Sequence, residues 1–255
     1  MRTLITKLRE VALFILAIAL EKGKRSFIIR LISVYPLGRL IFRVSILHKK
    51  LTILTGGGSQ RAVEYPWLLE SIKIVKAGSL VLDVGCSESL LSHELVARGL
   101  RVVGLDIRDY PFRNKYIRFL RRNVMCTCLP ANLFDAIIII STIEHVGLDA
   151  YGQTVKDTMG DIIAMRELRR ILKPGGYLFL TTPYVGSGPL RVTSFERNYN
   201  RSRLDELISG FGVVREDYFY PLKVNRRLVY VRVSRGLADK LPYSHAGVAC
   251  LVLRK

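Results

Sequence analysis

Val81-Leu82-Asp83-Val84-Gly85-Cys86-Ser87-Glu88-Ser89 is the stretch that decides how this chain folds. An apolar run from Leu80 to Val84 ends on a glycine and passes into small polar residues. Leu90 to Ala97 then carries helical periodicity, and Arg98-Gly99 stops it. A strand that turns tightly and opens a helix leaves free backbone N–H groups at the strand's carboxyl end. A ligand using that corner approaches the main chain closely, which the small side chains permit. Asp106 follows Gly85 by 21 residues, at the end of the next apolar run, Arg101 to Ile107. A carboxylate there accepts hydrogen bonds from both hydroxyls of a ribose. The dinucleotide fingerprint G-x-G-x-x-G is absent, since only Gly85 of its three glycines is present.

The same alternation continues outward. Tyr116 to Leu120 reads as a third strand, and Phe134 to Ser141 (FDAIIIIS) as a central strand buried on both faces. Asp157 to Leu172 reads as an amphipathic helix closed by Lys173-Pro174-Gly175-Gly176, with Tyr177 to Thr182 as the strand behind it. A helix near Arg201 to Ser209 and strands near Val213 to Tyr220 and Val248 to Leu253 complete the set. Strand–helix–strand rhythm of this kind predicts a parallel sheet covered on both faces, an α/β doubly wound domain over residues 59–255.

Residues 1–58 differ in composition. The first sixty carry eleven basic and two acidic residues, and Leu37, Leu40, Ile41, Val44 and Leu47 recur at helical spacing opposite Arg39, Arg43 and Lys50. This is a basic amphipathic extension, expected either to pack on the main domain or to dock residues 1–50 on an anionic membrane face. The apolar run Val11 to Leu20 is ten residues, against about 20 needed for a span. Flanking charges at Glu10 and Glu21–Arg25 argue against a cleaved signal. Four cysteines in 255 residues are no disulfide framework and point to a reducing, cytoplasmic setting. Cys126-Thr127-Cys128 has no second Cys/His pair at zinc spacing, so packing is expected and no metal. The whole chain carries +19, a field that attracts anionic partners. Arg113, Lys115, Arg118, Arg121 and Arg122 concentrate part of it around the third strand.

The blocks D-V-G-C-S-E-S, V-V-G-L-D, F-D-A-I-I-I-I-S-T-I-E-H-V and L-R-R-I-L-K-P-G-G-Y-L-F-L-T-T-P, in that order over residues 78–184, resemble the class I S-adenosylmethionine-dependent methyltransferases. The segment from Ile143 through Tyr151-Gly152 resembles a little-characterised subgroup associated with sugar and surface-polysaccharide pathways. The resemblance implies a Rossmann-like sheet of seven strands, the last antiparallel, with S-adenosyl-L-methionine as cofactor. It implies that Asp83, Gly85, Cys86 and Ser87 line the methionine end, that Asp106 holds the ribose with Ile107 beside the adenine, and that Asn123 meets the adenine amino group. Ser141, Thr142 and Glu144, at the end of the fourth strand, would face cofactor and substrate. Ser87, Ser89 and Asn123 depart from the family's usual glycines and aspartate.

Methyl transfer from a sulfonium is an in-line displacement, so alignment carries most of the catalysis and a base is needed only to remove an acceptor proton. Glu144-His145 is the candidate pair, with His145 as base and Glu144 orienting it or holding an acceptor hydroxyl. Capping of the following turn is the other role open to both. Tyr151, Tyr184 and Arg197 are the expected acceptor contacts, with Arg191 and Tyr199 in the same loop. The expected function is methylation of a small molecule or glycan. An RNA methyltransferase using the basic surface and a non-catalytic scaffold on the same fold are the alternatives.

Overall fold

The computed structural model describes residues 60–255 except Arg113, Thr154, Val155, Asn225 and Arg226. The amphipathic extension over 1–58, and with it the membrane-docking expectation, lies outside the described residues. Among the described residues no helix is long and apolar enough to cross a membrane.

Helix α1 (Arg61–Ser71) leads into β1 (Leu80–Val84), α2 (Leu91–Ala97), β2 (Arg101–Asp106), β3 (Ile117–Arg121) and β4 (Phe134–Ile140). Helix α3 (Gly160–Ile171), β5 (Leu172–Tyr184) and a small ribbon of β6 (Arg191–Val192) and β7 (Arg197–Asn198) follow. Helix α4 (Arg201–Leu207), β8 (Gly212–Val224), β9 (Arg227–Val233), α5 (Arg235–Lys240) and β10 (Gly247–Arg254) close the chain. The main sheet has the order β3-β2-β1-β4-β5-β10-β8-β9. Strands β1 to β5 pair in parallel, and β10 inserts antiparallel between β5 and β8.

The pleat divides the core in two. Ile137 and Ile139 of β4 face Ile162, Met165 and Leu168 of α3 and Leu204 of α4. Ala136, Ile138 and Ile140 face Trp67 and Leu68 of α1 and Leu91 and Leu95 of α2. The unbroken FDAIIII run is thus explained by burial on both faces. Trp67 Nε1–H donates to Asp217 Oδ2 of β8 at 2.8 Å, which ties α1 to the far half of the sheet.

One strand exceeds the expected seven. Strand β9 pairs antiparallel with β8 from Tyr218–Val233 to Val224–Arg227 and makes an eighth, edge strand. Its signal is a β-branched run, Leu228-Val229-Tyr230-Val231-Arg232-Val233, that begins after three intervening residues beyond β8, a spacing short enough for a hairpin. The expected antiparallel last strand is present as β10. Helix α3 starts at Gly160 rather than Asp157, because the Asp157 carboxylate accepts from Met159 N at 2.8 Å ahead of the first turn.

Candidate active site

The carboxyl ends of β1, β2 and β4 converge on one cleft of about 590 Å³, part of it open to solvent. Gly85 makes the convergence possible. Its φ is +78°, and a Cβ there would lie 2.2 Å from Thr142 Oγ1, so the turn after β1 admits no other residue without moving the end of β4. Gly85 N–H donates to Leu105 O at 2.8 Å, which fixes the turn against β2. Asp106 is 5% exposed and accepts from the backbone N–H of Ser87 at 3.0 Å and of Arg108 at 2.9 Å. Its carboxylate therefore stands oriented at the cleft wall before any ligand arrives.

Gly85, Asp106, Ile107, Asn123, Ser141, His145 and Tyr151, all singled out from the sequence, line this cleft. Asp83, Cys86 and Ser87 stand behind its wall. The Asp83 carboxyl accepts from Ser92 Oγ–H at 2.6 Å, and burial pushes it up to about 6. Cys86 Sγ fills the space over Gly104, where a Cβ would lie 2.8 Å from the sulfur, and burial raises its thiol above the usual range. The side chains of these three shape the turn through packing.

Below β4, two carboxyls are wholly enclosed. Glu64 of α1 accepts from the hydroxyls of Ser141 and of Thr181, the latter at 2.7 Å. Ser141 is held there with φ +41°, a left-handed conformation costly for a residue with a Cβ. Glu144 is 2% exposed in the 3₁₀ turn Ile143–His145 and does not line the cleft. Burial raises both carboxyls, and for Glu144 the nearby Glu64 adds to the rise. Oε2 of each is buried without a hydrogen-bond partner among the described residues.

His145 is differently placed. Its Nδ1 lies 2.7 Å from Phe195 O, and a carbonyl oxygen only accepts, so Nδ1 carries the proton and Nε2 keeps its lone pair. Nε2 lies 3.9 Å from Glu144 Oε1. Burial lowers the imidazole below the ordinary histidine range, which keeps it neutral near pH 7. The ring sits 5.1 Å from Tyr151 and 4.6 Å from Phe195, and those two rings are 5.3 Å apart, so the three rings pack on one another, with His145 and Tyr151 on the cleft wall. Arg108 covers the Tyr151 ring at 4.1 Å and pairs with Glu88 at 2.5 Å. Gln153 fixes the loop by donating to His145 O at 2.7 Å and accepting from Gly147 N at 3.0 Å.

Two expected acceptor contacts are placed elsewhere. Arg197 is 2% exposed, and its guanidinium donates to the carbonyls of Val146 at 2.6 Å and Thr158 at 3.1 Å, beside Asp161. It is an internal strut with no face toward the cleft. Tyr184 is buried against the Tyr218 ring at 5.0 Å, and its hydroxyl donates to Asp239. Arg191 donates to Tyr243 O at 2.9 Å, and the Tyr199 hydroxyl to Asp161 at 3.1 Å, so that loop is internally bonded. Thr142, expected to face cofactor and substrate, lines the cleft, and so do Arg61, Arg108, Arg122 and Gln153, which were not singled out for it. Glu64 and Arg61 lie on α1, whose sequence carries no motif, and only tertiary packing brings that helix beneath β4.

Residues 109–225 match the family described as "Caenorhabditis protein of unknown function, DUF268". The ubiquinone biosynthesis O-methyltransferase of Dechloromonas aromatica is 29% identical over 126 residues, 46% of this chain and 48% of that protein. An uncharacterized methyltransferase of Mycobacterium bovis is 30% identical over 144 residues, 52% of this chain and 66% of that protein. The chain spans about half the length of the first of these curated relatives. Among solved structures, the 1,6-didemethyltoxoflavin-N1-methyltransferase of Burkholderia thailandensis, with S-adenosylhomocysteine bound, superposes with a TM-score of 0.52 at 16% identity, over 87% of this chain and 91% of that one. A S-adenosylmethionine-dependent methyltransferase of Archaeoglobus fulgidus gives 0.54 at 16% identity, over 77% and 95%. The [4+2]-cyclase SpnF gives 0.54 at 20% identity, over 77% and 81%. With β3-β2-β1-β4-β5 in parallel, an antiparallel strand beyond them and a glycine turn after β1, the chain shares the fold of these S-adenosylmethionine-dependent methyltransferases.

Proposed function

We propose that this protein transfers a methyl group from S-adenosylmethionine to a hydroxyl, or an amine, of a small ring-bearing acceptor. The observation that carries the reading is the presence of two halves of the chemistry in one cleft. Gly85 and Asp106 form a corner shaped for a nucleoside, and His145 offers a neutral imidazole with a free Nε2 lone pair on the same cleft.

The residues present fit the cofactor. Gly85 lets a ligand reach the main chain, and Asp106 presents a carboxylate for ribose hydroxyls. Ile107 and Val124 offer apolar contact for a purine, with Asn123 beside them. When bound, S-adenosylmethionine supplies an electrophilic methyl on a sulfonium. The chain's own part is to hold the acceptor in line and to take one proton. His145 Nε2 accepts that proton, the Phe195 carbonyl fixes the tautomer, and the uncharged Glu144 beside the ring leaves the imidazole unclamped by a counter-ion. The His145 and Tyr151 rings on the cleft wall suit an acceptor ring, a phenol or the C–H face of a sugar. The name of the Dechloromonas relative supports a hydroxyl acceptor.

The likeness to a cyclase favours one other reading, a reaction without methyl transfer on the same scaffold. Calorimetric titration with S-adenosylmethionine, followed by an acceptor screen that reads S-adenosylhomocysteine release, separates the two. Binding lost in Asp106→Ala together with turnover on a hydroxylated ring supports methyl transfer. Absence of binding by the folded protein overturns it.

A further inference from the structure

Cys126 and Cys128 are both exposed, whereas Cys86 and Cys250 are buried. Packing, expected for the Cys-Thr-Cys stretch from its sequence, is therefore not what these two side chains do. Their sulfurs lie 3.8 Å apart, in contact, with Cys128 held at φ +51°. A closed pair of sulfurs is separated by about 2.05 Å. The remaining gap is small enough to be closed by side-chain rotation and a local change at Cys128.

The turn that carries them is bonded to the cleft. Arg122 and Asn123 both line it. Arg122 Nη1–H donates to the carbonyls of Thr127 at 2.6 Å and Cys128 at 3.1 Å. Asn123 accepts from Met125 N at its side-chain oxygen, 2.9 Å, and from Cys126 N at its carbonyl, 3.1 Å. From the other side, Thr127 is anchored to Glu167 of α3 through its N–H at 3.1 Å and its hydroxyl. The turn is thus fixed at its middle, so a change at its two sulfurs is relieved toward Arg122 and Asn123.

We propose that Cys126 and Cys128 form a redox-reversible disulfide whose closure displaces Arg122 and Asn123 and weakens cofactor binding. The oxidant is a low-molecular-weight disulfide. The Cys128 sulfur, having lost its proton, attacks one sulfur of that oxidant, breaking its S–S bond and releasing one thiol. The Cys126 sulfur then attacks the mixed disulfide, forming the Cys126–Cys128 bond and releasing the second thiol. Two electrons pass to the oxidant, which leaves as two thiols, and an excess of dithiol reverses the exchange. The hydrogen bond with Cys128 pushes the Cys126 thiol up.

The effect on the cofactor rests on the methyltransferase reading, and the formation of the bond does not. The full chain is equilibrated with glutathione disulfide or with dithiothreitol, then examined by peptide mass, thiol count under denaturant and titration with S-adenosylhomocysteine. The expected result is loss of two hydrogens from the peptide holding both cysteines, a fall from four free thiols to two, and binding weakened at least about fivefold, restored by dithiothreitol. A variant carrying both Cys126→Ser and Cys128→Ser binds as the reduced protein does in both buffers. A stable mixed disulfide on one cysteine, or no change in mass, overturns the proposal. Equal affinity of oxidised and reduced protein overturns the coupling. A reduced protein that binds no S-adenosylhomocysteine overturns the reading of function while leaving the mass result to decide the disulfide.

Discussion

Phe195 O determines what His145 can do. Because that carbonyl accepts from Nδ1–H at 2.7 Å, the free lone pair is on Nε2, and burial keeps the ring neutral at lower pH than usual. In the expected profile, kcat/KM rises with pH and reaches its plateau below the ordinary histidine range, as the last imidazolium loses its proton. His145→Gln lacks that limb and loses roughly 10²–10⁴-fold in kcat, with S-adenosylmethionine affinity unchanged. A plateau unaltered by the substitution would assign the proton elsewhere. Gly85→Ala meets a different obstacle at the same scale. Its methyl collides with Thr142 at a φ of +78°, so the turn shifts, with a stability loss of roughly 1–3 kcal/mol and cofactor binding weakened more than tenfold. Calorimetry at matched temperature reads both.

At the scale of elements, α1 and the end of β4 bury Glu64 and Glu144 together. Each carboxyl has a raised pKa in the fold, so its contribution to stability is full below the ordinary glutamate range and is lost as pH rises toward the raised value. Glu64→Gln and Glu144→Gln therefore gain on the parent as pH rises above the ordinary glutamate range. Denaturant midpoints across that range test the sign, and a gap that narrows with pH would refute it. Arg197 joins other elements: from β7 it bonds carbonyls on both sides of the loop between β4 and α3 and lies 3.9 Å from Asp161. Arg197→Met leaves those carbonyls and part of the Asp161 charge unanswered and costs about 3 kcal/mol, seen in Tm. KM for the acceptor changes only as far as the loop loosens, in contrast to a direct substrate contact.

For the whole molecule, the cleft joins β1, β2 and β4 with α1 and the loop ahead of α3, so a ligand there braces the parallel half of the sheet. Excess S-adenosylhomocysteine at about 100 times its dissociation constant adds about 2.7 kcal/mol, which in a domain of this size raises Tm by roughly 5–10 °C. No shift with the parent protein would remove the cofactor site from this cleft. Asp106→Ala should abolish the shift, and because it leaves the buried Ser87 N–H without its acceptor it also lowers the unliganded Tm, so the shift is read against the variant's own unliganded Tm.

The succession of strands and helices along the chain, the double burial of β4, the turn at Gly85 and the carboxylate at Asp106 were legible in the sequence, because each rests on local rules. Apolar runs set strands, a glycine sets a left-handed corner, and about twenty residues separate one strand end from the next. The sequence also named His145, Ser141 and Tyr151, which lie on or just after the strand whose end it could locate. Only the tertiary structure decided that Arg197 and Tyr184 turn inward, that Cys126 and Cys128 stand exposed with sulfurs in contact, and that Glu64 lies under Ser141 from a helix 77 residues earlier. Burial and hydrogen-bond partners depend on which distant elements meet, and no spacing along the chain records that meeting.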